Sequence, residues 1–273
     1  MENIKEKLQS GELVPFLGMG IFKDTVCSDG TTLPFDSDSF SLALNNGRAM
    51  SPRLMYEYSR VAMSLEQRKG REYITGMTNH IYASKEYPLP LAYEVLKTIK
   101  PKYLIDTNVD DSSTKVYEDM AHFMVTGTAR IMGGYDRFIV YLYNVGTKTY
   151  NKVEKDELND SLPIIFKPMG CMIPNKDFIV SDADFVDWLT EAMGGYGLPP
   201  FLKGYKKDKS YLFLGVDFSR DTFRMVANEI TLDLAGGYVV DGKEELSKKE
   251  EKFIKTHNLE LIKDEMGEFL KSL

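Results

Sequence analysis

The stretch Val14-Pro15-Phe16-Leu17-Gly18-Met19-Gly20-Ile21 decides the fold, because an apolar strand runs directly into a Gly-x-Gly turn. Strand ends of this kind bind phosphates, since glycine permits positive φ and lets backbone N–H groups approach a pyrophosphate with no Cβ in the way. The third glycine of the dinucleotide fingerprint is absent, so taken alone an ordinary strand-end turn is the better explanation. The motif therefore needs support from the rest of the chain.

Short apolar runs bounded by Gly, Pro or Asp predict a series of strands. They lie at 13–17, 103–107, 138–143, 163–167, 211–214 and 238–240. Most are apolar throughout, as is typical of strands buried on both faces of a parallel sheet. Helical patterns alternate with them at 91–100, 115–125, 184–193, 221–232, 248–257 and 265–273. We therefore expect an α/β fold with a Rossmann-like parallel sheet flanked by helices.

Residues 39–90 interrupt this alternation and predict a small helical insert within a single domain of residues 1–273. Four apolar side chains there have helical spacing, namely Leu54, Tyr58, Met63 and Ile74. Such Met and aromatic positions could line a ligand cleft, although packing is the commoner reason for a stripe of this kind. The polar, charge-rich segment 146–162 predicts a loop.

Composition excludes several classes of function. The chain has 34 basic and 41 acidic side chains, a formal charge of −7, so its field would repel a polyphosphate backbone and we expect no nucleic-acid partner. Two cysteines, Cys27 and Cys171, with three histidines provide poorly for a zinc site, so we expect no metal and no zinc module. The chain starts without an apolar signal segment and has no run near the roughly 20 apolar residues of a membrane span, which predicts a cytoplasmic protein.

A second strand ends in short polar side chains, in Tyr103-Leu104-Ile105-Asp106-Thr107-Asn108-Val109-Asp110-Asp111. In open parallel sheets, ligands bind beyond the carboxyl ends of the strands. Asn108 can donate to and accept from a ribose hydroxyl or a carboxamide, and Asp110 can accept an amide N–H. These residues could instead cap the next helix, but Asp111 and the two serines after it suffice for that role. Asn108 and Asp110 are therefore candidates for ligand binding.

Two later strand ends complete an ordered set of motifs. They are Ile164-Ile165-Phe166-Lys167-Pro168-Met169-Gly170-Cys171, followed by a helix with an Asp-Phe start, and Tyr211-Leu212-Phe213-Leu214-Gly215-Val216-Asp217. In this order the four elements resemble the sirtuin superfamily, and most of all its zinc-free bacterial sirtuin-like branch, many of whose members act in defence. The resemblance covers about residues 13–273, although the insert and the loop near Gly146 contribute little to it. It implies a domain that binds NAD between the sheet edge and the helical module.

The resemblance also assigns roles to individual residues. Gly18 and Gly20, with Met19 between them, would cradle the pyrophosphate, and Gly215 and Asp217 would lie near the adenosine half. Thr107 would join the cofactor-binding residues. Asn108 would lie by the nicotinamide ribose, and Asp110 would hold the carboxamide. Asn108 and the residue two positions after the motif lysine would form the catalytic pair. The expected ligand is therefore NAD or an ADP-ribose derivative, with no metal.

The departures from the family are as informative as the matches. The family histidine that accepts a proton from the nicotinamide ribose is replaced here by Met169. A thioether exchanges no proton in the physiological range, and loss of a general base costs about 10²- to 10⁴-fold in rate. Pro168 stands in place of an apolar β residue, and Phe22 replaces a serine of the phosphate turn. The leading interpretation is a sirtuin-like pseudoenzyme that binds or senses a nucleotide.

Two alternatives stay open. The first is an NAD glycohydrolase (NAD hydrolase) whose base comes from elsewhere, with His122 as the obvious candidate. On the predicted helix, His122 would lie roughly 18 Å from the strand end at ~1.5 Å per residue, so it is better explained as an ordinary helix residue. Cys171 could be a reactive thiol, but a buried, inert one is the more common case. The second alternative is a non-catalytic scaffold for a protein partner or a homo-oligomer, for which the helical insert would supply the surface.

Overall fold

A nine-stranded sheet forms the centre of the protein in a computed structural model, which describes residues 2–129, 136–192 and 197–273. Its strands are β1 (Leu13–Leu17), β2 (Tyr103–Asp106), β3 (Phe123–Gly127), β4 (Phe138–Asn144), β5 (Thr149–Val153), β6 (Ile164–Lys167), β9 (Ser210–Leu214), β10 (Gly236–Val240) and β11 (Leu259–Ile262). The short strands β7 (Gly170–Cys171) and β8 (Asp177–Phe178) pair separately. The sheet order is β11-β10-β9-β1-β2-β6-β3-β4-β5, parallel from β11 to β3 and antiparallel at β4 and β5.

Helices cover this sheet. They are α1 (Glu2–Ser10), α2 (Ser37–Leu44), α3 (Pro52–Met55), α4 (Tyr58–Lys69), α5 (Arg71–Ala83), α6 (Leu91–Ile99), α7 (Asp182–Ala192), α8 (Pro200–Tyr205), α9 (Asp221–Ile230), α10 (Lys248–Thr256) and α11 (Met266–Lys271). Every residue of β1, β2, β3 and β6 is buried, which explains why these strands are apolar almost throughout. The predicted Rossmann-like α/β fold is confirmed.

Two predicted elements were wrong. The helix expected at 115–125 is instead a 3-10 turn over Ser112–Tyr117 followed by β3, because Phe123–Gly127 pairs with both β6 and β4. The segment 146–162, predicted as a loop, contains the edge strand β5. The helix predicted at 184–193 is α7; its last predicted residue, Met193, lies outside the described residues.

Helices α2 to α5, here called the helical insert, lie in the chain between β1 and α6, the helix that precedes β2. Residues 39–90 are all described, and the structure has no strand among them. Aromatic side chains fill the space beneath the insert: the ring of Phe22, which follows β1, lies 6.1 Å from that of Tyr82, which in turn lies 6.3 Å from Phe40. The Phe40 and Tyr58 rings are 5.1 Å apart. The insert therefore packs on the protein through a continuous aromatic layer.

Within residues 2–129, 136–192 and 197–273, no helix combines the length and apolar character that a membrane crossing requires. Those ranges also hold no group of three or more His, Cys, Asp or Glu side chains arranged to bind a metal ion. Both cysteines are free thiols, Cys171 buried and Cys27 half-buried.

Candidate functional site

The ends of β1 and β2 lie side by side at the carboxyl edge, the edge of the sheet where the parallel strands end. Leu17 pairs with Asp106, and the next residue, Thr107, donates from its N–H and its hydroxyl to the Leu17 carbonyl at 3.0 and 2.7 Å. Asn108 then donates from Nδ2 to the Gly18 carbonyl at 3.3 Å. The first glycine turn and the Asn108 cluster thus meet at one place, as the sequence argument requires.

The orientation of Asn108 is fixed by a buried carboxylate. Asp106 accepts on Oδ1 from both the backbone N–H and Nδ2 of Asn108, at 3.1 and 2.9 Å. Its other oxygen accepts from the Tyr93 hydroxyl at 3.0 Å and from Lys167 Nζ at 2.7 Å. Because Nδ2 of Asn108 is used within the protein, its Oδ1 is the atom left to accept a hydrogen bond from a ligand.

Lys167, the motif lysine at the end of β6, neutralises this carboxylate. Lys167 and Asp106 are both fully buried, and the lysine also donates to the Ser113 hydroxyl at 3.3 Å. Burial alone would lower the pKa of Lys167, but Asp106 and the acidic groups around it raise that pKa overall. Lys167 therefore stays charged, and removal of either partner would leave an uncompensated buried charge.

Asp110 is a buried carboxylate with one unsatisfied oxygen. Oδ2 accepts from the Ser112 N–H at 3.0 Å, whereas Oδ1 is buried without a hydrogen-bond partner among the described residues. Burial raises the pKa of Asp110 to about 6, although the Lys167 ammonium acts in the opposite direction. At neutral pH the group is ionised, so Oδ1 is free to accept a hydrogen bond from a ligand.

The glycines at the end of β1 have a packing role. The N–H groups of Gly18 and Gly20 donate to the carbonyls of Leu214 and Gly215, at 2.9 and 2.8 Å. A Cβ on Gly18 would lie 2.5 Å from the Gly215 carbonyl oxygen, and Gly215 itself has φ +67°. Of the three residues in this turn, only Met19 keeps an N–H without a partner in the described structure. One backbone donor, not three, is open to a phosphate.

Asp217 lies two residues beyond Gly215, after β9. Its Oδ1 accepts from the Ser219 N–H at 3.0 Å, and its Oδ2 lies 3.5 Å from Nε of Arg220. Since β9 pairs with β1, this turn adjoins the Gly-x-Gly turn at the carboxyl edge. The residues assigned to the adenosine half are therefore on the same edge as Asn108, and Asp217 already serves to shape its own turn.

Met169 lies at the same edge, two residues after the end of β6. It is 2 % exposed, and its carbonyl accepts from the Ile179 N–H at 3.0 Å. The segment after it is tied to the Asn108 loop, because the Met172 N–H donates to the Val109 carbonyl at 2.9 Å. Burial raises the pKa of Cys171 in this segment to about 11, so its thiol stays protonated and unreactive.

His122 lies at the opposite edge of the sheet. It immediately precedes β3, which runs parallel to β6, so a five-residue strand, roughly 15 Å at ~3.3 Å per residue, separates it from the carboxyl edge. Its Nε2 is 2.6 Å from the Tyr150 hydroxyl, its Nδ1 is 2.9 Å from the Met120 carbonyl, and burial lowers its pKa to about 4. The helix placement expected from the sequence was wrong, and this location gives His122 no access to Asn108.

The candidate site is closed in this conformation. Asn108 and Asp110 are 3 % and 4 % exposed, and Phe22 is fully buried against Tyr82. Tyr82 could not be recognised from the sequence, because an aromatic residue at helical spacing is indistinguishable from ordinary core. Tyr93 was missed for the same reason. The only sequence signal for the ion pair was the coincidence of an Asp and a Lys at the ends of two buried strands.

A comparison with protein families supports the assignment of these elements. A sequence profile of the SIR2-like domain family matches residues 102–262. The matched region contains the ends of β2, β6 and β9, and therefore Asn108, Asp110, Met169 and Gly215. A search of curated proteins found no match to the chain.

Proposed function

This chain belongs to the SIR2-like domain family, and from that premise we propose that it binds NAD or an ADP-ribose derivative at the carboxyl edge of β1, β2 and β6 and turns this ligand over poorly. The observation that supports the proposal is the unsatisfied Oδ1 of Asp110, buried beside an Asn108 side chain of fixed orientation. A buried polar atom without a partner is rare in proteins and typically marks a ligand or solvent position.

The chemistry of the two acceptors suits a nicotinamide nucleotide. A carboxamide presents two N–H donors, one of which could bind Oδ1 of Asp110, and a ribose presents hydroxyl donors for Oδ1 of Asn108. A hydrogen bond to an ionised, buried carboxylate contributes more to the free energy of binding than a hydrogen bond between neutral groups. The reason is that the carboxylate oxygen is otherwise desolvated without compensation. The open N–H of Met19 could contact a phosphate.

Poor turnover follows from Met169. A general base typically contributes about 10²- to 10⁴-fold in rate, and a thioether cannot perform that role. Cleavage of the nicotinamide bond passes through a cation-like ribosyl species, so an oriented Asn108 in a dry pocket could still support slow hydrolysis. We therefore expect binding that is easily measured and hydrolysis that is slow.

Calorimetry with NAD, ADP-ribose and NADP tests the proposal. Binding of at least one of these should be lost in Asn108→Ala and retained in Asp111→Asn, a matched change of a half-exposed neighbour. An absence of heat with all three ligands for the native chain would contradict the proposal, and equal binding by both variants would contradict the assigned site.

A second candidate is an NAD glycohydrolase in which Asp110 accepts the proton. Its pKa of about 6 and its unpartnered oxygen favour this role, because an efficient general base titrates near the working pH. Nicotinamide release from NAD should then increase between pH 5 and 7 and disappear in Asp110→Asn. Release that persists in this variant would eliminate Asp110 as the base.

A further inference from the structure

A carboxylate of the helical insert occupies the N-terminus of α9. Glu57, 2 % exposed, accepts on Oε1 from the backbone N–H groups of Asp221 and Thr222 at 2.7 and 3.4 Å. Asp221 and Thr222 are the first two residues of a ten-residue helix, and the N–H groups at the start of a helix have no partner within it. A negative charge there also interacts favourably with the helix dipole. Glu57 therefore fastens the insert to the main body of the protein.

A second group of contacts fastens the insert to α7. Arg71, at the start of α5, donates from Nη1 to Asp184 and from Nη2 to the Phe178 carbonyl, both at 2.6 Å. Ser59 donates to Asp182 at 2.5 Å. The helices α7 and α9 follow β8 and β9 in the chain, so the insert is attached to two helices that begin near the carboxyl edge.

The surface between these attachments is aromatic and reaches the first glycine turn of the candidate site. Tyr58 of the insert lies 6.0 Å from Phe185 of α7 and 5.8 Å from Phe223 of α9, measured between ring centroids. Tyr82 contacts Phe22 next to the first glycine turn. Burial raises the pKa of the Tyr82 hydroxyl, and the charge of Asp110 raises it further.

Several buried polar side-chain atoms of the insert and of the elements around it lack a hydrogen-bond partner among the described residues. Buried side-chain atoms without a hydrogen-bond partner in the described ranges include Oε2 of Glu57, Oγ1 of Thr78 and Oδ1 of Asn79 in the insert, and Oδ1 of Asp110 and Oγ of Ser181 on the elements that face it. A permanent core rarely contains such a concentration of unpaired groups, because each one carries a desolvation cost. The contact is therefore suited to reversible opening.

We propose that the helical insert is an autoinhibitory lid, closed by Glu57 at the N-terminus of α9 and by Arg71 and Ser59 at α7. Opening of the lid moves Tyr82 away from Phe22 and exposes Asn108 and Asp110 to solvent and ligand. The identity of that ligand rests on the proposed function, whereas the movement of the lid does not. Any change that weakens the closed state raises the apparent affinity for the ligand by the same factor.

The test compares Glu57→Ala with Ser247→Ala. Ser247 caps α10 by accepting from the Glu250 N–H at 3.4 Å, so its variant also loses a helix cap, and the Ser247 side chain has no hydrogen bond to the insert among the described residues. Hydrogen–deuterium exchange without ligand should become about fivefold faster in Glu57→Ala at residues 107–112 and in α5, the factor expected for loss of one cap. Ser247→Ala should leave exchange in both segments unchanged. Ser59→Ala, which loses only the Ser59–Asp182 hydrogen bond, provides a second variant should Glu57→Ala fold poorly.

The affinity for NAD or ADP-ribose should rise about fivefold in the same variants. Faster exchange in Glu57→Ala without binding of either nucleotide would support the lid and contradict the proposed ligand. Binding of a nucleotide with equal affinity by the native chain and both lid variants, at unchanged exchange, would overturn the lid and leave the proposed function intact.

Discussion

Replacement of Asp110 by Asn should stabilise the protein at neutral pH. Asp110 is buried with one oxygen unpaired, and its pKa is raised from 3.8 to about 6. A raised carboxyl pKa means that folding disfavours the ionised form, so the penalty is absent below pH 3.8, grows as the pH rises and is complete above pH 6. Two pKa units correspond to about 3 kcal/mol at 1.36 kcal/mol per unit. Asn keeps the volume and an acceptor for Ser112 without the charge.

The assay is thermal unfolding of the native chain and Asp110→Asn between pH 4 and 8. At pH 7.5 the variant should melt about 6 °C higher, since a gain of 1 kcal/mol raises the melting temperature by about 2 °C in a chain of this size. Below pH 4 the two curves should coincide. Other titrating groups are present in both proteins and cancel in the difference. Asp111→Asn, at the half-exposed neighbouring residue, is the matched control and should leave the melting temperature unchanged both at pH 7.5 and below pH 4.

A melting difference that is independent of pH, or a variant less stable than the native chain at pH 7.5, would refute this reasoning. The result also bears on function, because natural proteins keep a destabilising buried charge when binding requires it. Asp110→Asn should therefore be more stable and bind NAD or ADP-ribose more weakly. A stabilised variant with unchanged affinity would show that Asp110 takes no part in binding.

Three further predictions concern stability. Burial lowers the pKa of His122 from 6.5 to about 4, so as the pH falls through this range only the unfolded chain gains a proton. Urea denaturation of the native chain should therefore show a loss of about 3 kcal/mol in the free energy of unfolding between these pH values. The His122→Gln variant should lack this loss. Lys167→Met should cost about 3–5 kcal/mol by leaving Asp106 charged and unpaired, and adding Asp106→Asn should recover most of this loss. Gly18→Ala should cost about 1–3 kcal/mol because its Cβ would lie 2.5 Å from a backbone oxygen, whereas Gly76→Ala, in a helix with open space, should be neutral or stabilising.

The central strands were predictable because their burial is uniform. Strands β1, β2, β6 and β9 are buried by helices and by neighbouring strands, so their sequences are short apolar runs with clear Gly, Pro or Asp boundaries. Phe123–Gly127 was missed because the residues before it, 115–122, carry helix-like spacing, and only the pairing with β6 and β4 reveals the strand. Edge strand β5 is mostly polar and exposed, so it has no apolar pattern to detect.

The candidate site was predictable in position but not in detail. Asn108 and Asp110 follow a buried strand, and strand ends converge at one edge of a parallel sheet, so proximity to Gly18 could be anticipated. The closure by Tyr82 could not, because it depends on how the insert packs across the sheet. The presence of a glycine motif also does not indicate whether its backbone N–H groups face a ligand or donate to another turn of the protein.

The contact of the Gly18–Gly20 turn with Gly215 joins two segments almost 200 positions apart, and it dictates an order of assembly. Strand β1 is synthesised long before one of its two neighbours, β9, which begins at Ser210. Until that late segment leaves the ribosome, one side of β1 presents unpaired backbone groups and an apolar surface. The nascent chain must therefore protect an incomplete sheet until β9 has been synthesised, and such long-range pairing is expected to fold slowly.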